Sequence, residues 1–343
     1  MSYSTYLSWL VLLLLSTIYS GASADSSAAQ FIEFDDRPLN EDIVLPDWFK
    51  LSFLELNNDI EEVKESGKRG LIVYFGQKFC PYCKVHLRKN WEDRGIVQYT
   101  QKNFEVVAID VLGQRPVISP AGKAFKSEKY FSEVQKAQFT PSLIFYNTEG
   151  DEVVRLSGYH PPYQFRAVLE FVADEHYKKE SLGDYLARGQ ELSAYEESEL
   201  NESPIFSSAP YSLRRNLLAA STPLAVFFEE PTCHACNVLH NDPLQNKDII
   251  ANLKKMEAIQ LDMKSDTVVI TPSGEPTTAR QWAKKLQLYY APTIIFFDET
   301  GQEILRIDSV IRFYRLNNVL IYILSKAYLD YPSFQIWRQK TGR

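Results

Sequence analysis

Gly70-Leu71-Ile72-Val73-Tyr74-Phe75-Gly76-Gln77-Lys78-Phe79-Cys80-Pro81-Tyr82-Cys83 decides the fold of this chain, and Leu224-Ala225-Val226-Phe227-Phe228-Glu229-Glu230-Pro231-Thr232-Cys233-His234-Ala235-Cys236 repeats it. In each stretch an apolar run of strand length, too continuous to leave one face in water, leads directly to two cysteines separated by two residues. A helical pattern follows each pair. Next comes a second apolar run ending in Asp, Val106-Val107-Ala108-Ile109-Asp110 and Ala258-Ile259-Gln260-Leu261-Asp262. Strand, helix, strand at this spacing predicts a parallel crossover unit.

The downstream segments match as well. Phe139-Thr140-Pro141-Ser142-Leu143-Ile144-Phe145 corresponds to Tyr290-Ala291-Pro292-Thr293-Ile294-Ile295-Phe296, with the prolines 61 and 59 residues after Cys80 and Cys233. Gly150 and Gly301 then sit in turns between apolar runs, which predicts hairpins, and Arg155 and Arg306 follow at a shared offset. An amphipathic helix closes each half, near 162–177 and 312–328. The expected fold class is α/β, two tandem domains each with a central mixed sheet flanked by helices.

The remaining segments set the boundaries. Residues 1–24 hold an apolar run from Leu7 to Ile18 and end Ala22-Ser23-Ala24, the pattern of a signal peptide cut after Ala24, although the first six residues carry no Lys or Arg. Residues 25–45 read as an irregular acidic leader. The first domain spans 46–180, with a helical start expected near Pro46-Asp47-Trp48-Phe49, and 181–210 reads as a helix and an acidic, Ser-rich linker. The second domain spans 211–343. Loops are expected at 113–120 and 271–276, each before a helix beginning near Ser127 or Thr278.

At 343 residues, with 45% hydrophobic and 24% charged residues, the chain suits two globular domains. A net charge of −7 argues against a nucleic-acid partner, which would need a basic face. The leader's apolar run is short for a membrane span and no other run reaches that length, so the mature chain is expected to be exported without a stable membrane association. The carboxyl-terminal residues Gln339 to Arg343 hold no retention signal, which favours the periplasm over the endoplasmic reticulum.

All four cysteines fall in the two pairs. A four-cysteine zinc site would have to join pairs lying 150 residues apart, each between its own strand and helix, and an inert disulfide over so short a loop stabilises little. Thiol–disulfide exchange needs an attacking thiolate and a second thiol nearby to resolve the mixed disulfide. A cysteine at a helix start has its negative charge stabilised by unpaired N–H groups and the helix dipole. Cys80 and Cys233 are therefore the expected nucleophiles, and Cys83 and Cys236 the resolving thiols. Lys78 and Lys84 beside Cys80, against Glu229 and Glu230 before Cys233, predict a lower thiol pKa at Cys80. His86 and His240 each lie one turn beyond a resolving cysteine and read as exposed or capping histidines, with a proton-transfer role as the other reading. Phe79, Tyr82, Thr232 and His234 are expected at the rims that meet substrate.

With strand, Cys-x-x-Cys and later proline all present twice, the sequence resembles the thioredoxin superfamily over 46–180 and 211–343. Phe-Cys-Pro-Tyr-Cys-Lys and Glu-Glu-Pro-Thr-Cys-His-Ala-Cys resemble exported thioredoxins of the SoxW type. The resemblance implies cis-Pro141 and cis-Pro292, with Thr140 and Ala291 facing the sulfurs and pairing with substrate backbone. It implies protein thiols or disulfides and an unidentified redox partner as partners, with no cofactor beyond the cysteine pairs and no metal. Two positions depart from the family. Where thioredoxins carry a buried Asp six residues before the first cysteine, this chain has Tyr74 and Phe227. The function expected is a protein-disulfide reductase or isomerase. The competing class is a binding or chaperone-like module of weak redox activity.

Overall fold

The computed structural model describes residues 34–190 and 199–343. The expected signal segment, residues 25–33 of the leader and residues 191–198 of the linker lie outside the described residues.

The first domain runs α1 (Leu56–Glu65), β1 (Gly70–Gly76), α2 (Pro81–Lys89), α3 (Arg94–Asn103), β2 (Phe104–Asp110), β3 (Val117–Ile118), β4 (Ala124–Phe125), α4 (Glu128–Val134), β5 (Ser142–Tyr146), β6 (Glu152–Ser157), α5 (Pro162–Ala173) and α6 (Leu182–Gln190). The second runs β7 (Tyr211–Ser212), β8 (Leu224–Glu229), α7 (His234–Asn241), α8 (Lys247–Leu253), β9 (Glu257–Asp262), β10 (Val268–Ile270), β11 (Pro276–Thr278), α9 (Ala279–Lys285), β12 (Thr293–Phe297), β13 (Glu303–Ile307), α10 (Phe313–Leu324) and α11 (Phe334–Thr341).

Each domain has a four-stranded sheet, ordered β2-β1-β5-β6 in one and β9-β8-β12-β13 in the other. β1 pairs parallel with β2 from Gly70↔Phe104 to Gly76↔Asp110, and β8 with β9 from Leu224↔Glu257 to Glu229↔Asp262. The other pairings are antiparallel, so both sheets are mixed as expected.

Helices cover both faces of each sheet, which is why β1 and β8 read as unbroken apolar runs. Alternation along β1 sends Leu71, Val73 and Phe75 to a core with Leu56, Ile60 and Val63 of α1, and Ile72 and Tyr74 to a core with Cys83, Leu87 and Phe165. In the second domain Phe227 packs with Leu239, Leu316 and Leu320, and Phe228 with Trp282 on the opposite face.

Local signals account for most element ends. Ser127 and Thr278 cap α4 and α9 by accepting from Tyr130 N and Gln281 N. Gly150 and Gly301 turn the predicted hairpins at φ +85° and +87°, where a side chain would be strained. The repeated arginine anchors a helix end in both domains. Arg155 forks onto Glu152 and donates to Gln135 O at the end of α4, and Arg306 forks onto Glu303 and donates to Leu286 O at the end of α9.

Two expectations are corrected. The first helix begins at Leu56, not near Pro46, because the chain there makes a single turn, closed by Phe49 N–H on Pro46 O at 3.0 Å, that sets Trp48 and Phe49 as plugs. Their rings lie 5.7 and 5.1 Å from that of Trp91, while Leu51 and Phe53 point to solvent. The stretch 113–120, read as a plain loop, carries β3 paired with β4, while 271–275 is a turn as read, between β10 and β11 of a short hairpin.

Beneath α2 lie two buried imidazoles. His86 is boxed by the rings of Tyr74, Trp91, Tyr159 and Phe165, with Nδ1 3.0 Å from Asn90 Nδ2, and it is neither exposed nor a cap. Burial, helped by His160, lowers its pKa to about 3; burial also lowers that of His160, to about 4, against a raising bond to Gln164. Both folded-state values lie below the ordinary 6.5, so below that pH the unfolded chain takes up protons that the folded chain refuses. Stability present above pH 6.5 is therefore lost as the pH falls, by about 2 kcal/mol per imidazole at pH 5. Burial holds Asp308 up at about 6, which acts with the opposite sign between pH 4 and 6, so variants need comparison with wild type at each pH. Urea unfolding from pH 7.5 to 5 should show a shallower acid loss for His86→Phe; an unchanged slope would refute the assignment.

Candidate active site

Cys80 and Cys233 each occupy the N-cap of a helix, α2 and α7, where Sγ accepts the backbone N–H of Cys83 and Cys236 at 3.0 Å. That is the donor a thiolate would use, and the charge would also sit at the positive end of the helix. Both pairs are closed as disulfides, with Cα atoms 5.2 and 5.1 Å apart. The peptides Thr140–Pro141 and Ala291–Pro292 are cis, as is Ala209–Pro210 in the linker, which the sequence reading did not include. Cys80 Sγ lies 3.3 Å from Thr140 Oγ1, and Cys233 Sγ lies 3.3 Å from Ala291 O. The structure thus brings Thr140, Pro141, Ala291 and Pro292 beside their own sulfur pairs.

The two sites differ in what covers them. At the second, Cys233 keeps 9% of its surface, and Thr232 and His234 are exposed beside it. At the first, Cys80 is 2% exposed, Thr140 1%, Tyr82 3% and Tyr159 1%, while Phe79 and Lys78 reach solvent nearby. The second domain supplies the cover. Arg315 of α10 lays its guanidinium 3.3 Å from the centre of the Tyr82 ring and donates through Nη2 to Thr140 O at 2.9 Å. Gln335 of α11 accepts from Gln77 Nε2 at 3.0 Å and donates to Gln138 O, while Phe334 packs on Phe139. Val310 N donates to Tyr159 O at 3.1 Å. Gly158 stands in this seam at φ +95°, and a Cβ there would come within 2.1 Å of Ser309 Oγ.

Tyr82 therefore does not form a rim open to substrate. Its hydroxyl donates to Asp36 Oδ2 at 2.9 Å and accepts from Arg312 N at 3.0 Å, and Asp36 also accepts the Tyr314 and Arg315 N–H groups. Part of the leader is thus pinned between the two domains. Burial raises the Tyr82 phenol pKa despite Arg315, and burial lowers the Arg315 guanidinium to about 10, leaving it a cation at neutral pH.

The flanking charges do not separate the sites as the sequence suggested. Lys78 pairs with Asp42 at 3.0 Å and Lys84 with Glu41, so the lysines beside Cys80 are neutralised by the leader. Glu230 pairs with Lys264 at 2.8 Å, and Glu229 is buried against His240 at 3.0 Å. The argument for a lower thiol pKa at Cys80 loses its basis. His240 is also buried, not an exposed or capping residue. Asp36, Gln77, Arg315 and Gln335 had no signal in the sequence, since each acts across a domain boundary. Among the described residues no cluster of His, Cys, Asp or Glu could hold a metal, and no helix is long and apolar enough to cross a membrane.

The profile of the thioredoxin-like domain matches residues 56–173 and 214–324. Solved structures similar to the chain include a thioredoxin-fold protein from Helicobacter pylori, 20% identical, covering 37% of this chain and 88% of that one with a TM-score of 0.32. A thioredoxin from Thermus thermophilus is 23% identical over 34% of this chain and 83% of that one, TM-score 0.27. The DsbH oxidoreductase is 12% identical over 38% and 91%, TM-score 0.28. Comparison with curated proteins gives no match. With both halves matched, over most of the chain and around both cysteine pairs, this protein belongs to the thioredoxin-like family.

Proposed function

We propose that the chain is an exported thiol–disulfide oxidoreductase whose two sites divide the work, Cys233–Cys236 exchanging with protein substrates and Cys80–Cys83 held closed behind α10 and α11. One observation carries this reading. Tyr82, Thr140 and Tyr159 around Cys80 are buried under the second domain, with Phe79 and Lys78 left at the surface, whereas the edge of Cys233 is open at Thr232 and His234. Arg315 holds the carbonyl of Thr140, the acceptor a substrate strand would otherwise pair with. Export rests on the apolar run from Leu7 to Ile18 and the small residues before Asp25.

In the reducing direction the Cys233 thiolate attacks a substrate disulfide. One substrate sulfur leaves as thiolate, and a mixed disulfide forms. Cys236 then attacks Cys233 Sγ, closing the intramolecular disulfide and releasing the second substrate thiolate, so two electrons pass to substrate. If the substrate instead re-pairs its own sulfurs before Cys236 acts, the outcome is isomerisation. His234 and Thr232 would meet the incoming chain, and Ala291 and Pro292 would line the groove.

On the fully reduced chain, a bulky maleimide reagent with peptide mapping should label Cys233 at least about tenfold faster than Cys80, the ratio that an opening cost of ~1.4 kcal/mol produces. Equal labelling, or faster labelling of Cys80, would overturn the division. Insulin-disulfide reduction should collapse in Cys233→Ser and persist in Cys80→Ser; an inactive wild type would overturn the reducing direction. Arg315→Met, which keeps bulk and deletes the bond to Thr140 O, should raise Cys80 labelling by about tenfold without changing Cys233.

A further inference from the structure

The two domains share a fold but differ under the cysteine helix. Aligned on Cys80 and Cys233, residues Gly76, Leu87 and Ala108 of the first domain match Glu229, His240 and Gln260 of the second. In the first domain this space is filled by the ring of Tyr74, whose Cε1 stands 2.5 Å from where a Cβ on Gly76 would be. In the second it holds an ionisable pair. His240 Nε2 lies 3.0 and 3.1 Å from the two Glu229 oxygens, and Gln260 Nε2 donates to Glu229 Oε2 at 3.1 Å. The Glu229 side chain is fully buried and that of His240 nearly so. The linker closes the cluster from outside, with Phe206 5.9 Å from the imidazole and Asn201 O accepting from Gln260.

Burying an acid and an imidazole where the sister domain uses Gly, Leu and Ala brings no stability that an apolar filling would not also supply. Such a pair marks chemistry when it adjoins a reacting group. His240 follows Cys236 by four residues on α7, which puts their Cβ atoms about 5–6 Å apart on one face. Helical side chains lean toward the N-terminus, so the ring lies over the turn that carries Cys236.

We propose that the Glu229–His240 pair takes the proton of Cys236 when that thiol resolves the mixed disulfide. The inference rests on the oxidoreductase reading. Once Cys233 is joined to substrate, Cys236 must lose its proton in a site from which water is excluded. The pair accepts that proton, the Cys236 thiolate bonds to Cys233 Sγ, and the Cys233–substrate bond breaks. Its electron pair leaves on the substrate thiolate. Reduction of the site by a dithiol runs the same steps in reverse: a thiolate attacks Cys233 Sγ, the Cys233–Cys236 bond breaks, and the pair returns the proton to the departing Cys236 thiolate. Neighbouring charges are already committed: Glu230 to Lys264, Asp242 to Arg312 at 2.9 Å, and Asp262, the register partner of Glu229, to Lys264 N. Among the described residues no equivalent exists at Cys83, where His86 faces rings and Asn90.

The test uses the full chain carrying Cys80→Ser and Cys83→Ser, reduced and mixed rapidly with a peptide disulfide. The readout is the lifetime of the mixed disulfide on Cys233 as a function of pH. Glu229→Gln and His240→Gln should each slow resolution by about a hundredfold at pH 7, with the deficit closing as the pH rises above the ordinary thiol range and solvent takes over. An unchanged pH profile in either folded variant overturns the proposal, as does a deficit of constant size at every pH, which would mark a structural role. Should both variants fail to fold, NMR titration of the His240 ring in the parent chain decides. Its pKa must differ between the reduced and oxidised site, and an identical value overturns the proposal. A parent chain that forms no mixed disulfide would count against the oxidoreductase reading instead.

Discussion

The hydrogen bond from a backbone N–H to the sulfur three residues earlier, made at the start of α2 and again at the start of α7, is the constraint around which both domains are built. A sulfur can take that bond only if the chain arrives extended and turns into a helix at once. The arriving chain must therefore be a strand, and a strand at the centre of the sheet, since its end has to be fixed from both sides. A central strand covered on both faces is apolar throughout, which is why β1 and β8 read as they do. The cis-prolines belong to the same requirement. They bring a carbonyl of the next strand alongside the sulfur, to Thr140 O in one domain and Ala291 O in the other.

Duplicating this unit creates a problem of its own, because each copy presents a groove shaped to receive another chain. Here the groove of the first copy receives the second. Arg315 is well suited to the seam: its planar cation stacks on Tyr82 while its fork reaches the Thr140 carbonyl, a combination that a lysine could not reproduce. The matching residue in the first domain, Gln164, turns inward to His160 instead. Tyr290 and Ala235 beside the second pair do pack on the first domain's core, but no first-domain side chain repeats the Arg315 contact, and the two sites become inequivalent although their sequences repeat.

The repeat was legible because it depends on local rules. Gly150 and Gly301 announce turns, Ser127 and Thr278 announce helix starts, and paired apolar runs ending in Asp announce parallel strands, each within a few residues. What the sequence did not disclose lies between domains. Asp36 sits in an acidic stretch without periodicity, yet it ties Tyr82 to the first turn of α10. Gln335 lies in a helix that sequence periodicity left unassigned, and it bonds to Gln77 some 258 residues away. The charge argument at Cys80 failed for the same reason. The acids that neutralise Lys78 and Lys84 come from the leader, and proximity in sequence does not predict which ion pair forms.

The position six residues before the first cysteine shows how a single substitution propagates. With Tyr74 there, the ring occupies the volume over residue 76, and only glycine is tolerated at that place. With Phe227 there, the ring packs against Leu239 and Phe206, and residue 229 carries a carboxylate. A carboxylate in that volume needs partners, and Gln260 on the neighbouring strand and His240 on the helix provide them. Each of these residues is ordinary alone. Together they form one buried polar cluster beside Phe227, and they set the polarity beneath Cys236 apart from that beneath Cys83.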